Sequence, residues 1–301
     1  MAAGSDQGSK QGSGSETTER EILHFRVDEG LRLTADAVGD PNAAPVVLFH
    51  GGGQTRHSWR ETADALAAAG WYAVSVDQRG HGDSDWSPTG DYTHTRFTND
   101  VVRVARHFDT PPVLVGASLG GIASLLAIGQ SDPAEPPLAR ALVLVDIATR
   151  MEPDGAQRII SFMASRPEGF ATLEDAADAV ASYNPHRRRP RSLDGLARNL
   201  RKHDDGRYRW HWDPAFIEGR FETSERIHDP QLLDRAAAAL TLPTLLVRGK
   251  LSDLLSQEGA DAFLAQVPHA QFADVTGAGH MVAGDQNDVF SNAVLEFLQA
   301  L

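Results

Sequence analysis

Ser118 lies in Gly116-Ala117-Ser118-Leu119-Gly120, between the apolar run 113–115 and the apolar stretch 122–128. A short buried strand followed by an apolar helix makes a tight, strained turn that holds a serine hydroxyl clear of the backbone. Glycines at 116 and 120 leave the space such a turn needs. A serine hydroxyl is a poor nucleophile until a base takes its proton. His280 is the candidate base: of the 12 histidines, it alone stands in a Gly-x-Gly-His loop between a late strand, Gln271–Val275, and a last helix over 287–298. Two acids compete to orient that imidazole. Asp253 follows the apolar strand Thr244–Gly249 by four residues, and Asp146 directly ends the strand Ala141–Val145. A serine, a histidine and a carboxylate brought together perform acyl transfer.

Acyl transfer also needs donors for the oxyanion that develops on the attacked carbonyl. The run Val46-Val47-Leu48-Phe49 leads straight into His50-Gly51-Gly52-Gly53-Gln54, and glycines let backbone N–H groups approach a substrate without obstruction. The N–H of Gly52 and that of Leu119, the residue after the serine, are assigned to the hole. A phosphate-binding loop is the rival for this segment. It fails because no Gly-Lys-Ser/Thr follows and no G-x-G-x-x-G opens the next helix. His50 reads as a structural residue within the loop.

With these motifs in place, the chain resembles the α/β-hydrolase superfamily, in its serine-nucleophile branch with a helical cap. The likeness runs from about residue 21 to residue 301. It rests on His50-Gly51-Gly52-Gly53, Asp77-Gln78-Arg79-Gly80-His81-Gly82-Asp83-Ser84, the turn at Ser118, Gly249 with Asp253, and Gly279-His280. The resemblance implies an α/β fold: a mostly parallel sheet covered by helices on both faces, with an inserted helical cap. It also implies a triad of Ser118, Asp253 and His280, since the family usually places the acid where Asp253 stands. Asp146 is then expected to anchor the start of the cap, and the segment 77–84 to be scaffold. A serine at the turn speaks against the branches that use an aspartate there to displace at carbon. The leading expectation is a carboxylic-ester hydrolase. A carbon–carbon bond hydrolase of dienol ketone acids would use the same triad. A lyase or cofactor-free oxygenase ranks lower, and a non-catalytic small-molecule receptor on the same scaffold stays open.

Composition bounds the partners. The chain has 301 residues, 41% hydrophobic and 23% charged, which suits a globular domain with an insertion. No cysteine is present, which removes disulfides, a thiol nucleophile and thiolate metal sites together. No cofactor and no metal are expected. A net charge of −13 argues against nucleic acid, whose phosphates call for a basic face. No segment has the apolar length to span a membrane, and the N-terminus lacks an apolar signal-peptide core. A small-molecule substrate, no membrane partner and a cytoplasmic location are therefore expected, with monomer and homo-oligomer both open.

The elements that must position these residues follow from periodicity. Residues 1–18 are polar and small and are expected to be disordered. Strands at 22–27 and 31–38 form a hairpin. Strands and amphipathic helices then alternate, which means a parallel sheet covered on both faces. The core is expected over 19–147 and 241–301. The alternation breaks over 148–240, the expected cap, which carries helical patterns at 157–164, 173–183 and 192–199. Two stretches in it are distinctive. Arg187, Arg188, Arg189 and Arg191 form a basic cluster, read either as solvated surface or, through Arg187, as a substrate-carboxylate site. In 207–213 aromatic and charged residues alternate, which puts Tyr208, Trp210 and Trp212 on one face of an extended segment. Trp210 and Trp212 either pack the cap onto the core or line the substrate pocket.

Overall fold

The computed structural model describes residues 19–183, 193–222, 230–280 and 287–301. The expected tail and the basic cluster of Arg187, Arg188, Arg189 and Arg191 lie outside the described residues.

Five-residue runs such as Pro45–Phe49 and Ala141–Val145 are buried along their whole length. A strand of this kind must be covered on both faces, because its side chains alternate between them. Val47 and Phe49 join one apolar core, while Val46 and Leu48 join the other. The strands are β1 (Glu21–Arg26), β2 (Arg32–Val38), β3 (Pro45–Phe49), β4 (Tyr72–Val76), β5 (Val113–Ala117), β6 (Ala141–Val145), β7 (Leu200–Lys202), β8 (Tyr208–Trp210), β9 (Thr244–Gly249) and β10 (Gln271–Val275). Eight of them make one sheet in the order β1-β2-β4-β3-β5-β6-β9-β10. The pairs β1–β2 and β2–β4 are antiparallel, and every pair from β4 to β10 is parallel.

The core helices are α1 (Arg60–Ala68), α2 (His94–Ala105) and α3 (Leu119–Gly129) before β6. The segment between β6 and β9 adds α4 (Pro153–Ala164), α5 (Leu173–Tyr183), α6 (Asp194–Ala197), α7 (Pro214–Glu222) and α8 (Pro230–Ala238). After β9 the described residues include two helices, α9 (Gln257–Gln266) and α10 (Asn287–Gln299). Residues of α1 and α10 share the apolar core on one face of the sheet, and those of α2 and α3 the core on the other. Crossovers of parallel strands put all βα loops at one edge of the sheet, where ligands of such folds bind.

The insertion departs from expectation in two places. β7 and β8 pair as a small antiparallel ribbon, with Leu200 opposite Trp210. α8 was assigned to the cap, but it packs on α3 of the core, and a Cβ on Gly129 would come within 2.5 Å of Ala236.

Candidate active site

Ser118 is the residue between β5 and α3, and its backbone sits at φ 46°, ψ −111°. A non-glycine residue in that region costs about 1–3 kcal/mol and persists only where its surroundings impose it. The surroundings here are close backbone contacts. A Cβ on Gly116 would lie 2.4 Å from the Gly120 carbonyl oxygen, and one on Gly120 would lie 2.4 Å from the Phe49 carbonyl oxygen. The glycines thus let α3 start immediately against β5 and β3. The Ser118 N–H donates to the Val145 carbonyl at 3.2 Å, so the serine stands beside the end of β6. Its hydroxyl makes no hydrogen bond among the described residues, and such contacts in free enzymes commonly close only when substrate binds.

The next residue along β6 is Asp146, fully buried and also at positive φ (51°). A buried carboxylate needs several donors to offset its lost hydration. Asp146 has them from three directions. Oδ1 accepts the Gly249 N–H at 3.0 Å, and Oδ2 accepts the Ser252 hydroxyl and His280 Nδ1 at 2.7 Å. The contact at Nδ1 fixes the tautomer: Nδ1 carries the proton and Nε2 keeps its lone pair. His280 reaches this position because the loop after β10 runs beside the end of β9, where the Leu251 N–H donates to the Ala278 carbonyl at 2.8 Å.

Asp253 is not the partner of His280, which corrects the expectation drawn from its place after Gly249. Its carboxylate faces α4, where Arg158 Nη1 lies 2.7 Å away. Ser252, one residue earlier, turns inward instead and holds both Asp146 and the N–H groups of Leu254 and Leu255. The sequence carried a signal for Asp146 that spacing alone did not rank. A charge directly ending a wholly apolar strand is buried, and a buried charge has partners.

The glycine loop after β3 lies against Ser118, since a Cβ on Gly51 would be 3.4 Å from that of the serine. Its N–H groups are almost all engaged. Gly51 donates to Gln54 Oε1 at 2.9 Å, Gly53 to His81 Nε2 at 3.1 Å, and Gln54 to the Gly51 carbonyl at 3.1 Å. The Gly52 N–H makes no hydrogen bond among the described residues. Neither does that of Leu119, which opens α3 and so has no carbonyl one turn back to bond. These are the two groups that sequence assigned to an oxyanion hole. His50 is structural: Nε2 accepts the Gln78 N–H at 3.0 Å and Nδ1 bonds the Gly51 carbonyl at 2.8 Å.

The insertion covers this loop with apolar groups. Phe216 lies 3.5 Å from where a Gly52 Cβ would be, and Trp212 lies 3.2 Å from the corresponding point on Gly53. Trp210 and Trp212 stack with centroids 4.9 Å apart and planes 9° from parallel, as their shared face of an extended segment requires. Among the described residues no group of histidines and carboxylates has the geometry to hold a metal. No helix among them is long and apolar enough to cross a membrane.

Esterase Rv0045c of Mycobacterium tuberculosis is 27% identical over 287 residues, 90% of each chain. The 3-hydroxybutyrate-oligomer hydrolase of Cupriavidus necator is 26% identical over 260 residues, 83% of this chain and 87% of its own. In fold, the chain superposes on the crystal structure of E-2-(acetamidomethylene)succinate hydrolase with a TM-score of 0.79 at 21% identity, covering 93% of this chain and all 100% of that one. The family model described as "Alpha/beta hydrolase family" matches residues 46–293, which takes in β3 from its second residue, the serine turn, Asp146 and His280. The chain belongs to the alpha/beta hydrolase family.

Proposed function

We propose that this hydrolase cleaves a small carboxylic ester by acyl transfer, with Ser118 as nucleophile, His280 as base and Asp146 as the acid that orients it. One observation carries the reading: the buried Asp146 carboxylate holds His280 by Nδ1 at 2.7 Å, beside a serine on a strained strand-to-helix turn. His280 Nε2 takes the Ser118 proton as Oγ attacks the ester carbonyl. The Gly52 and Leu119 N–H groups hold the oxyanion. His280 then protonates the leaving alcohol, and water attacks the acyl-enzyme through the same base. The segment between β6 and β9, short of α8, acts as the cap, and its Trp210–Trp212 stack walls the acyl side of the cleft.

Esterase and hydrolase names among the relatives support the ester reading over a carbon–carbon cleavage. The basic cluster, whose reading as a substrate-carboxylate site would suit a ketone acid, lies outside the described residues. The test is turnover of a nitrophenyl ester together with fluorophosphonate labelling. Ser118→Ala is expected to abolish both while the chain stays folded, and the label is expected on Ser118 in the wild type. Full turnover in the alanine variant would sink the reading.

A further inference from the structure

Two buried histidines that the reaction does not use hold Gly53 from opposite sides. His81 belongs to the turn after β4, and its Nδ1 lies 2.9 Å from the Arg79 carbonyl, so Nδ1 carries the proton and Nε2 accepts the Gly53 N–H. His211 follows β8 in the insertion. Its Nδ1 accepts the Gly82 N–H at 2.8 Å, so the proton is on Nε2, which faces the Gly53 carbonyl at 3.3 Å. Both side chains are shut off from water, and the two rings lie 5.8 Å apart. The insertion is fastened to the same turn at further points: the Asp213 N–H donates to the Gly80 carbonyl at 2.9 Å, and Arg201 bonds the Gly82 carbonyl. Gly53 itself sits at φ 75°, with Met163 Cε 2.9 Å from the position of a Cβ. Its conformation is therefore one that the surrounding groups must define.

We propose that His81 and His211 are positioning residues which clamp Gly53, one imidazole from the core and one from the insertion, so that the adjacent Gly52 N–H is left aimed at the oxyanion. The proposal rests on the reading of Gly52 as an oxyanion donor. It makes the hole a joint product of core and insertion: the insertion must be seated on the 80–82 turn for the loop to be set. By using up the Gly53 N–H, His81 also decides which of two neighbouring glycine donors faces the substrate. A loop free to turn about Gly53 would spend part of its time with the wrong N–H, or none, toward the carbonyl oxygen.

A clamp of this kind acts on the transition state more than on the bound ester, so it predicts a split between kcat and KM. His81→Leu and His211→Leu fill the space without the hydrogen bonds. Each is expected to lower kcat on a nitrophenyl ester about ten- to a hundredfold, short of the hundred- to thousandfold loss that follows removal of an oxyanion donor outright. KM should change less than about threefold. Affinity for a boronic acid, which presents a tetrahedral oxyanion, should fall by the same factor as kcat/KM. His81→Gln offers Oε1 to the Gly53 N–H, and His211→Gln offers Nε2–H to the Gly53 carbonyl, so both should recover most of the loss. Rates are referred to active sites titrated to completion with fluorophosphonate, so unfolded chain does not count. Leucine variants with normal kcat, or with a raised KM and unchanged boronate ratio, would overturn the clamp. So would glutamine variants no better than leucine. If the wild type neither turns over the ester nor takes the label, the reading of Ser118 fails instead, and the two failures are distinguishable.

Discussion

At the scale of single residues, the acid divides the outcomes most sharply. Asp146→Asn keeps the shape but replaces one acceptor oxygen with an amide that meets the His280 N–H, donor to donor, unless the ring or the amide turns. Loss of the tautomer lock in a serine triad costs about 10⁴ in kcat, and a loss of that order is expected here. Asp253→Asn should cost less than about threefold. Its pair with Arg158 is a surface one, 34% and 59% exposed, and such pairs contribute about 0–1 kcal/mol. Steady-state kinetics on one ester compares the two variants, and the reverse ranking would return the acid to the β9 loop. The serine turn and the histidine loop were legible because each is a local pattern: a serine between two glycines, a histidine after Gly-x-Gly. The carboxylate that meets His280 was not, because it depends on which of two loops folds inward. That choice is made by Arg158, which draws Asp253 toward α4 from 95 positions away in the chain, and by Ser252, which faces in at its place. The clamp on Gly53 was hidden for the same reason, since His81 and His211 lie 130 positions apart in the chain and come together only in the fold.

Elements were read well where a strand is buried on both faces, since a run such as Ala141–Val145 admits no solvated side. They were read less well in the insertion. α4 starts at Pro153, four residues before the pattern 157–164, because proline suits the first helical turn, where its missing N–H is not needed. β7 escaped notice because a three-residue strand exists only through its partner β8. How tightly elements meet at the serine turn gives a test at this scale. In Gly120→Ala the new methyl would stand 2.4 Å from the Phe49 carbonyl oxygen and 2.6 Å from the Phe49 Cβ. Neither can rotate away, so α3 must shift from β3. A loss of about 1–3 kcal/mol is expected in urea unfolding, as for other overpacked sites. Gly195→Ala in α6 meets nothing within 4 Å and serves as the control, with unchanged or slightly higher stability. Equal midpoints for the two variants would mean that the turn has slack the geometry does not show.

For the molecule as a whole, the fold was legible because alternation of buried strands and helices leaves few topologies, and the three-glycine loop, the serine turn and the histidine loop all fall at one edge of the parallel sheet. Legibility ended at the buried polar layer beneath that edge, where His50, His81, His211 and Asp77 lock the glycine loop to the turn after β4. This layer has a consequence for stability. Burial pushes the His211 imidazole down to about 3, with the neighbouring His50 adding to the effect. Burial likewise lowers His50, only partly opposed by the Asp77 carboxylate. A histidine held neutral in the fold but free to charge in the unfolded chain makes the unfolded state bind more protons below about pH 6.5. Stability is then whole above that pH and falls as pH drops toward 3, by up to about 1.4 kcal/mol per unit for each such histidine. Asp36 adds to this only lower down. Burial would raise its carboxyl, but the adjoining His57 ring and the hydrogen bond from Arg56 outweigh that and hold it at about 2, so its contribution goes between about 3.8 and 2. Two effects oppose the trend: burial raises the Asp100 carboxyl, with Arg79 only partly countering it, so the folded chain takes up that proton first, and acid relieves the self-repulsion of a chain with net charge −13. Those charges are dispersed over the surface and are screened beyond about 8 Å at 0.15 M salt, whereas the buried imidazoles are not. The histidines should therefore win. Urea unfolding at 0.15 M salt is expected to show stability falling from pH 6.5 to 4.5, and His211→Gln should reduce that slope by about 1.4 kcal/mol per unit, since self-repulsion is common to both chains. Parallel profiles for wild type and variant would show that His211 is protonated in the fold, and the tautomer assigned to it in the clamp would be wrong.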